Sequence, residues 1–490
     1  MQDITFDSLY GGMDTRVGRT ALNNKLLFMP ECVNIDIVGQ SLRRARGQTS
    51  RVELESGGWL GIQKHEVDGL FYLRGISDNG NYYRIDPVNS LAISAKSSLS
   101  SLAKPYMFQG FDNNLICITG TNEVFADDGA TVDDIGFYAA YGVYGTVGIT
   151  LGNNILIADG RTVYYSDDGT IDGWGEANFF PDVNGDIIAM NKFGQYVYVR
   201  TKSDIYVITG DNSSNYAMER ISSNGGFSRY SMCEFEKRVY AWDKGLYPVE
   251  DLGETGQTKI QQDISFRVHE SFNDIDKTRL DEIIMIPYPN RKQLWVYVPI
   301  ENNATLYKAW VANFVNYNEK KLISMYPREA NPIICACDFD GKIFTGTSSG
   351  IIYQEDCGNT FDGTVIESEF WFDKTNLGSN NYKTVKDIEL WVNCLSENQF
   401  TVMTRFDGKN YNPSEKTVNV VTNDAYFEIG ESELDGVDVL SVSDLASAIV
   451  PVSKSKRFTY LQIGIKTENE GDDFILTSLT IKDIEYIKKG

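Results

Sequence analysis

Residues 148–169 read GITLGNNILIADGRTVYYSDDG. Three apolar runs, each of strand length, are separated by Gly-Asn-Asn and Asp-Gly-Arg, residue types that supply the backbone of tight hairpin turns. The unit returns as AMNKFGQYVYVRTKSDIYVITGD (189–211), CEFEKRVYAWDKGLYPVED (233–251) and ACDFDGKIFTGTSSGIIYQED (336–356). A strand-turn-strand-turn-strand unit recurring at about 40 residues has the period of a β-propeller blade, a small sheet that hides its faces only against its neighbours. About five to seven such units fit between residues 55 and 357.

Outward from this meander the pattern changes. After residue 357 the strands lengthen (TVIESEFWF, VKDIELWV, QFTVMTRF, FTYLQIGIKT, FILTSLTIKDIEYI) and the repeat stops. The expectation is an all-β chain: a β-propeller-like meander over 51–357, then a β-sandwich-like C-terminal domain over 358–490. Residues 1–50 are expected to be an assembly and closure segment. Their VNIDI stretch (33–37) alternates as a strand does, and a strand added there to the propeller ties the first blade to the last. The best short helix is the stretch VDVLSVSDLASA.

The 490 residues carry 45 basic and 68 acidic side chains, a net charge of −23. That balance argues against a general nucleic-acid binder, which needs a basic face to displace counterions. The first fifty residues stand apart, with six basic and five acidic side chains, three of them Arg43, Arg44 and Arg46. The seven cysteines are widely spaced in strand-like runs. With no secretory leader pattern at MQDITFDSLY, they are expected to be free thiols in a chain made in a reducing cytosol. No apolar run reaches membrane-spanning length, so no membrane partner is expected.

Motifs that could carry chemistry each have a plainer reading. Gly346-Thr-Ser348-Ser-Gly350 matches G-x-S-x-G, yet a strand follows it and both histidines, His65 and His269, lie upstream, so it reads as a hairpin turn. Asp182-Val-Asn184-Gly-Asp186 opens like a calcium loop but has Ile187 and Phe193 where Gly and Glu are needed. Ser166 to Trp174 is similar to the Asp-box turn between propeller strands. Cys335 and Cys337 lack further zinc ligands and read as core. The two histidines, in QKHEVD and RVHESF, read as exposed strand or turn residues. No catalytic set, cofactor fingerprint or metal cluster emerges, and the chain is expected not to be an enzyme and to need no cofactor.

Two groups of residues carry a resemblance. Phe6-Asp-Ser-Leu-Tyr-Gly11-Gly12-Met-Asp-Thr15, then Glu31-Cys-Val-Asn34-Ile-Asp36, then Leu42-Arg43-Arg44-Ala-Arg46-Gly47 resembles the opening of the tail hub or nozzle proteins (stabilization, tail tubular proteins) of short-tailed bacteriophages. Val163-Tyr-Tyr-Ser166-Asp, Gly185-Asp-Ile-Ile-Ala-Met190, Ser203-Asp-Ile-Tyr-Val-Ile-Thr-Gly210 and Gly225-Gly-Phe-Ser228 follow the same family's order. The resemblance covers roughly 1–50 and 150–250. It implies a structural virion protein of the tail, assembled in the bacterial host cytoplasm. Such a protein self-associates into a ring, usually a hexamer, below the portal and adaptor, contacts other tail proteins, and lets genomic DNA pass without sequence-specific binding. The final 130 residues match no one subfamily.

For Arg43, Arg44 and Arg46 the plain role is ion pairing inside the fold. The functional alternative is an assembly interface with an acidic surface of a neighbour, where arginine suits bidentate pairing. Another class of function is also open: a glycan-binding or glycan-degrading tail propeller, with an aromatic platform around Trp242 or Trp295. A third is a host scaffold for protein interactions.

Overall fold

The structure is a computed structural model, and it describes residues 2–9, 11–14, 29–99, 105–223, 225–249, 263–301, 303–316, 323–394, 398–407, 413–420, 445–452, 457–469 and 474–487. Among these residues the fold is almost entirely antiparallel sheet, with one short α-helix, Phe137–Tyr141.

Seven small sheets follow one another along the chain. Their first strands are Trp59–Val67, Tyr106–Gln109, Val147–Leu151, Ile187–Phe193, Met232–Phe235, Ile284–Tyr288 and Cys335–Phe339. Each packs beside the first strand of the next sheet, and Cys335–Phe339 returns to Trp59–Val67, so the seven form a closed ring. This is a seven-bladed, propeller-like arrangement, numbered here as blades 1 to 7. The three strands of blade 3, Val147–Leu151, Asn154–Asp159 and Thr162–Tyr165, are the three runs of the 148–169 repeat.

The core follows from this geometry. Each sheet is apolar on both faces, and the buried side chains lie in layers between blades. Ile76, Tyr82, Leu115 and Phe125 fill the layer between blades 1 and 2, and Ala189, Val207, Val239 and Tyr247 that between blades 4 and 5. Blade 7 meets blade 1 through Cys335, Cys337, Phe344, Trp59 and Ile62. The two cysteines are therefore packing groups.

Closure is made by Gln48–Glu53, which pairs antiparallel with Ile351–Glu355 as the fourth strand of blade 7. The VNIDI stretch lies elsewhere. Ile35–Val38 hairpins with Ser41–Arg44, which pairs with the long C-terminal strand Phe474–Ile487. Both stretches alternate well enough for a strand; Asp36 is buried along with Ile35 and Ile37, and burial on both faces suits the sandwich rather than an outer blade edge.

The sandwich is built from both ends of the chain. In one sheet, Phe474–Ile487 takes Gln2–Phe6 and Ser41–Arg44 on one side and Asp387–Cys394 on the other, with Leu445–Pro451 beyond. The other sheet runs Glu31–Val33, Ser368–Trp371, Leu461–Thr467, Asn398–Phe406, Ser414–Val420. From Leu445 the stretch expected to be a helix is a strand, and its residues before Leu445 lie outside the described residues. One apolar cluster joins Phe6, Ile35 and Leu42 to Trp295 and Tyr326 of blade 6 and to Ile388, Ile465 and Leu479 of the sandwich.

Two glycines permit this threading. Gly12 has φ +76°, and a Cβ there would stand 2.9 Å from the Met325 nitrogen of blade 6. A Cβ on Gly47 would land 1.7 Å from the Thr360 carbonyl oxygen. A chain truncated to start at Gly57 loses the fourth strand of blade 7 and N-terminal strands of both sandwich sheets. It is expected to be insoluble or to melt without a cooperative transition in circular dichroism; a soluble fragment with a sharp melt contradicts the closure described here.

Candidate functional site: a buried arginine–aspartate junction

The N-terminal hairpin, blades 6 and 7 and the sandwich meet at a polar cluster inside the apolar one. Asp36, on the hairpin strand Ile35–Val38, is buried. Its Oδ2 accepts from Arg43 Nη2 at 2.7 Å and Arg291 Nη1 at 3.0 Å. Its Oδ1 accepts from the Tyr326 hydroxyl at 2.6 Å and Gln293 Nε2 at 3.1 Å. Burial alone would raise this carboxyl, but Arg43, Arg291, Arg328 and the Tyr326 hydroxyl outweigh it and hold the pKa below its ordinary value.

Asp356 at the end of blade 7 is the second anchor. It accepts from Arg291 Nε at 2.7 Å and Arg328 Nη1 at 3.3 Å, so Arg291 bridges the two aspartates. Arg328 also lies over the Trp295 ring, 4.4 Å from its centroid, and donates to the Arg46 carbonyl. Beside them Glu355 is buried, accepting from the Thr345 hydroxyl at 2.7 Å. Burial pushes its pKa up to about 7, against the opposing pull of Thr345 and Arg328.

The side chain of Asn34 completes the junction. Its amide donates to the Glu367 carbonyl at 2.8 Å and Glu329 Oε2 at 2.9 Å, while its Oδ1 accepts from the Glu329 N–H at 2.8 Å. Asn34 has φ +54°, a left-handed geometry that asparagine tolerates better than most residues.

The three arginines of the sequence motif do not form a surface patch. Arg43 pairs with Asp36. Arg44 is buried and donates to the carbonyls of Ile366 at 2.7 Å and Asn469 at 2.8 Å, tying the blade 7 exit to a sandwich loop. Arg46 is half-buried and contributes its carbonyl. Two of the three side chains, Arg43 and Arg44, are thus spent inside the fold, the plainer of their two expected roles.

The other marked residues fall as follows. Ser348 sits at the tip of the hairpin between Lys342–Gly346 and Ile351–Glu355, as a turn. Asp182 and Asn184 bond to Thr162 and Asp204 in the approach to blade 4. Trp174 donates to the Ile135 carbonyl at 2.8 Å, pinning the Asp-box-like turn to the chain entering blade 3. Trp242 and Trp295 are buried and offer no platform. His269 is exposed, as expected, but His65 is fully buried, a correction. Its Nε2 donates to the Asn113 carbonyl at 2.6 Å, and Nδ1 lies 3.8 Å from Asp127 of blade 2. Asp127 also holds Arg74 at 2.9 Å, Tyr82 at 2.7 Å and Arg84 at 3.2 Å. Burial lowers the His65 pKa below its ordinary value. QKHEVD looks polar in sequence because its long polar neighbours alternate outward while the ring points between blades.

A cavity of about 200 Å³ is lined by Leu60, Pro105, Arg229, Tyr230, Asp281, Glu282, Ile284, Ile333 and Ile334, residues at or near the starts of the first strands of several blades. Tyr230 stacks on Tyr106 there, centroids 5.8 Å apart. Among the described residues no group of three or more His, Cys, Asp or Glu is placed to hold a metal ion, and no helix is long and apolar enough to cross a membrane. Cysteines 32, 117, 233, 335, 337 and 357 are free thiols.

No protein-family model matches the chain, and no curated protein matches it. Among solved structures, the computationally designed Ika8 protein is similar over 63% of this chain and 100% of that one, with a TM-score of 0.38 and 9% identity, a likeness too slight to carry an argument.

Two stability predictions follow from the junction. Asp36→Asn leaves Arg43 and Arg291 without their shared counter-charge and is expected to cost about 3 kcal/mol in urea unfolding at neutral pH; a loss below about 0.5 kcal/mol would show the pairs to be idle. Because Asp36 has a lowered folded pKa, its contribution is present above the unfolded carboxylate value and fades as pH falls through the folded one. Glu355 has the opposite sign: its folded pKa is raised from 4.5 to about 7, so its penalty grows as pH rises across that window. Glu355→Gln is expected to be up to roughly 3 kcal/mol more stable than the parent at pH 8 and nearly equal to it at pH 4. A difference that does not change with pH contradicts this assignment.

Proposed function

We propose that this chain is a structural virion protein of a short-tailed bacteriophage, a hub or nozzle subunit that forms a ring around the DNA exit path below the portal and adaptor. The observation that carries the reading is where the family-like opening motif falls. Gly12, Asn34, Asp36, Arg43, Arg44 and Gly47 all stand at the junction that fastens the propeller to the sandwich. The second group of matching residues lies in blades 3 and 4 and in the turn that leads to blade 5. A motif spent on holding a subunit in one shape suits a protein whose work is to be a wall.

In this reading the net charge of −23 suits passage of DNA. A basic bore would bind phosphates and hold the duplex in transit, whereas an acidic or neutral one repels it over the screening length of about 8–10 Å. The partners are further copies of the chain, the portal and adaptor, and other tail proteins, in a virion assembled in the host cytoplasm.

One observation favours a glycan-binding tail protein as the second reading. Tyr138 and Tyr144 stack with centroids 5.4 Å apart and planes 9° from parallel, and both rings are partly exposed. In a phage encoding this chain, particles made without it are expected to package DNA, lack a tail ring in electron micrographs, and leak their genome. Particles with an intact ring that fail only to bind host glycan favour the second reading and overturn the first.

A further inference from the structure

Blades 1 and 2 meet over a buried polar cluster that neither the Asp36 junction nor the tail reading uses. Asp127 ends the third strand of blade 2, Val124–Asp127, and is fully buried, with blade 1 closed around it. Its Oδ2 accepts from the Tyr82 hydroxyl at 2.7 Å and Arg74 Nε at 2.9 Å. Its Oδ1 accepts from Arg84 Nη2 at 3.2 Å and the Gly129 N–H at 2.9 Å. Three of these four donors belong to blade 1, and a further blade 1 group, His65 on Trp59–Val67, faces the same carboxylate.

The His65 ring is held in its neutral form. Nε2 lies 2.6 Å from the Asn113 carbonyl oxygen, which can only accept, so Nε2 carries the hydrogen. Nδ1 is then a bare base. It is buried without a hydrogen-bond partner and faces Asp127 Oδ2 from 3.8 Å, too far for a hydrogen bond.

A proton arriving at Nδ1 finds no acceptor. A carboxylate offers about four lone-pair sites, and on Asp127 these are taken by Tyr82, Arg74, Arg84 and Gly129. An Nδ1–H could reach Oδ2 only by displacing Tyr82 or Arg74. Charge points the same way, since an imidazolium would be a third cation, after Arg74 and Arg84, around one anion. The groups on the other packed strands bring no second anion. Burial keeps the Tyr82 hydroxyl and the Cys117 thiol protonated, Lys96 lies over the Phe125 ring at 5.1 Å, and Tyr72, opposite His65 in the register, carries the Arg74 guanidinium over its ring at 5.2 Å.

We propose that the seam between blades 1 and 2 is an acid-operated latch, closed while His65 Nδ1 is bare and opened locally when that atom takes a proton from solvent, the rest of the ring staying shut. Opening is how the proton is accommodated: water solvates the imidazolium, and the layer of Ile76, Tyr82, Leu115 and Phe125 between the two blades loosens. The blades stay tethered at the rim, where the Asn113 amide donates to Asp68 Oδ1 at 2.7 Å and the Glu66 N–H to Gln109 Oε1 at 2.9 Å.

The direction of the pH effect follows from the site. Burial, with Arg74 and Arg84, lowers the His65 pKa below its ordinary 6.5 against the pull of Asn113 and Asp127. Burial alone would raise the Asp127 carboxyl, but Tyr82, Gly129 and Arg74 hold it below its ordinary value, so it stays ionised while His65 titrates. A group with a lowered folded pKa stabilises the closed form fully above its unfolded value, and that contribution is lost as pH falls from there towards the folded one. Glu355 has the opposite sign and sits in blade 7, so the place of the change separates the two. The latch does not rest on the tail reading.

The test is hydrogen exchange of the full chain, read by mass spectrometry between about pH 7.5 and about pH 5.5 and corrected for the pH dependence of intrinsic exchange. The amides of Leu70–Ser77 and Val124–Asp127 are expected to lose about tenfold or more in protection, the equivalent of one unit of pKa difference. Those of Asn154–Asp159 in blade 3 are expected to keep theirs. In His65→Gln the side-chain amide can still donate to the Asn113 carbonyl but takes up no proton, and the pH dependence is expected to vanish. Histidine NMR of the parent serves even where that variant folds poorly, with the exposed His269 as the second signal: His65 is expected to remain the neutral Nε2–H form at pH 6.5. A His65 ring that charges at or above that pH in the folded protein overturns the latch. So does protection that stays constant, falls equally in blade 3, or falls as much in His65→Gln.

Discussion

Asp36 and Asp356, both buried, hold three arginines drawn from separate parts of the chain: Arg43 from the N-terminal hairpin, Arg291 from a turn in blade 6, and Arg328 from that blade's outer strand. The rest of the architecture depends on this arrangement. Moving two carboxylates out of water is costly, and their attraction to the guanidinium groups roughly offsets that cost, so the net gain over an apolar cluster of the same volume is small. Its effect is on position. Each carboxylate accepts from two or more donors in fixed directions, and a slip of one residue in the hairpin would put Asp36 on the wrong face and strand Arg291. The network therefore sets the register of the N-terminal strands against both the propeller and the sandwich.

Register matters because the chain weaves. Gln2–Phe6, Glu31–Val33, Ile35–Val38 and Ser41–Arg44 join the sandwich, Gln48–Glu53 closes blade 7, and only then does blade 1 begin. Blade 7 consequently takes strands from residues 48–53 and 335–355, with the short Thr360–Phe361 and Thr364–Val365 added beyond Gln48–Glu53, and the sandwich takes strands from both ends of the chain. Long-range pairing of this sort has a large loop-closure cost and is slow to form. It also leaves the ends of the described chain inside sheets, where fraying exposes apolar surface. Glu355, a carboxyl next to Asp356 that burial keeps largely protonated up to about pH 7, lets the strand end pack against the junction without adding a third negative charge.

The blades were legible in sequence because their information is local. Two-residue turns and alternating runs mark each hairpin, and GITLGNNILIADGRTVYYSDDG shows all three strands of blade 3. The lengthened strands after residue 357 likewise mark the sandwich. Pairings between distant residues were not legible: VNIDI and QTSRVE both alternate, and nothing local tells which one closes the ring. The junction was half-visible. The clustered arginines drew attention, but their partners lie far away in sequence, Asp356 beyond blade 6 and the Ile366 and Asn469 carbonyls in the backbone, where no side-chain pattern reports them. His65 misled for a related reason, since its neighbours Lys64 and Glu66 point away from the ring that Asp127 and Asn113 surround.

The central claim is that the Asp36 junction and the woven N-terminus make propeller and sandwich one cooperative body. Scanning calorimetry of the full chain tests it most directly, because a single unit requires one transition whose calorimetric and van't Hoff enthalpies agree. One peak with equal enthalpies is the predicted result. Two resolved transitions, or a calorimetric enthalpy well above the van't Hoff value, would show that the two parts unfold separately and would contradict the account.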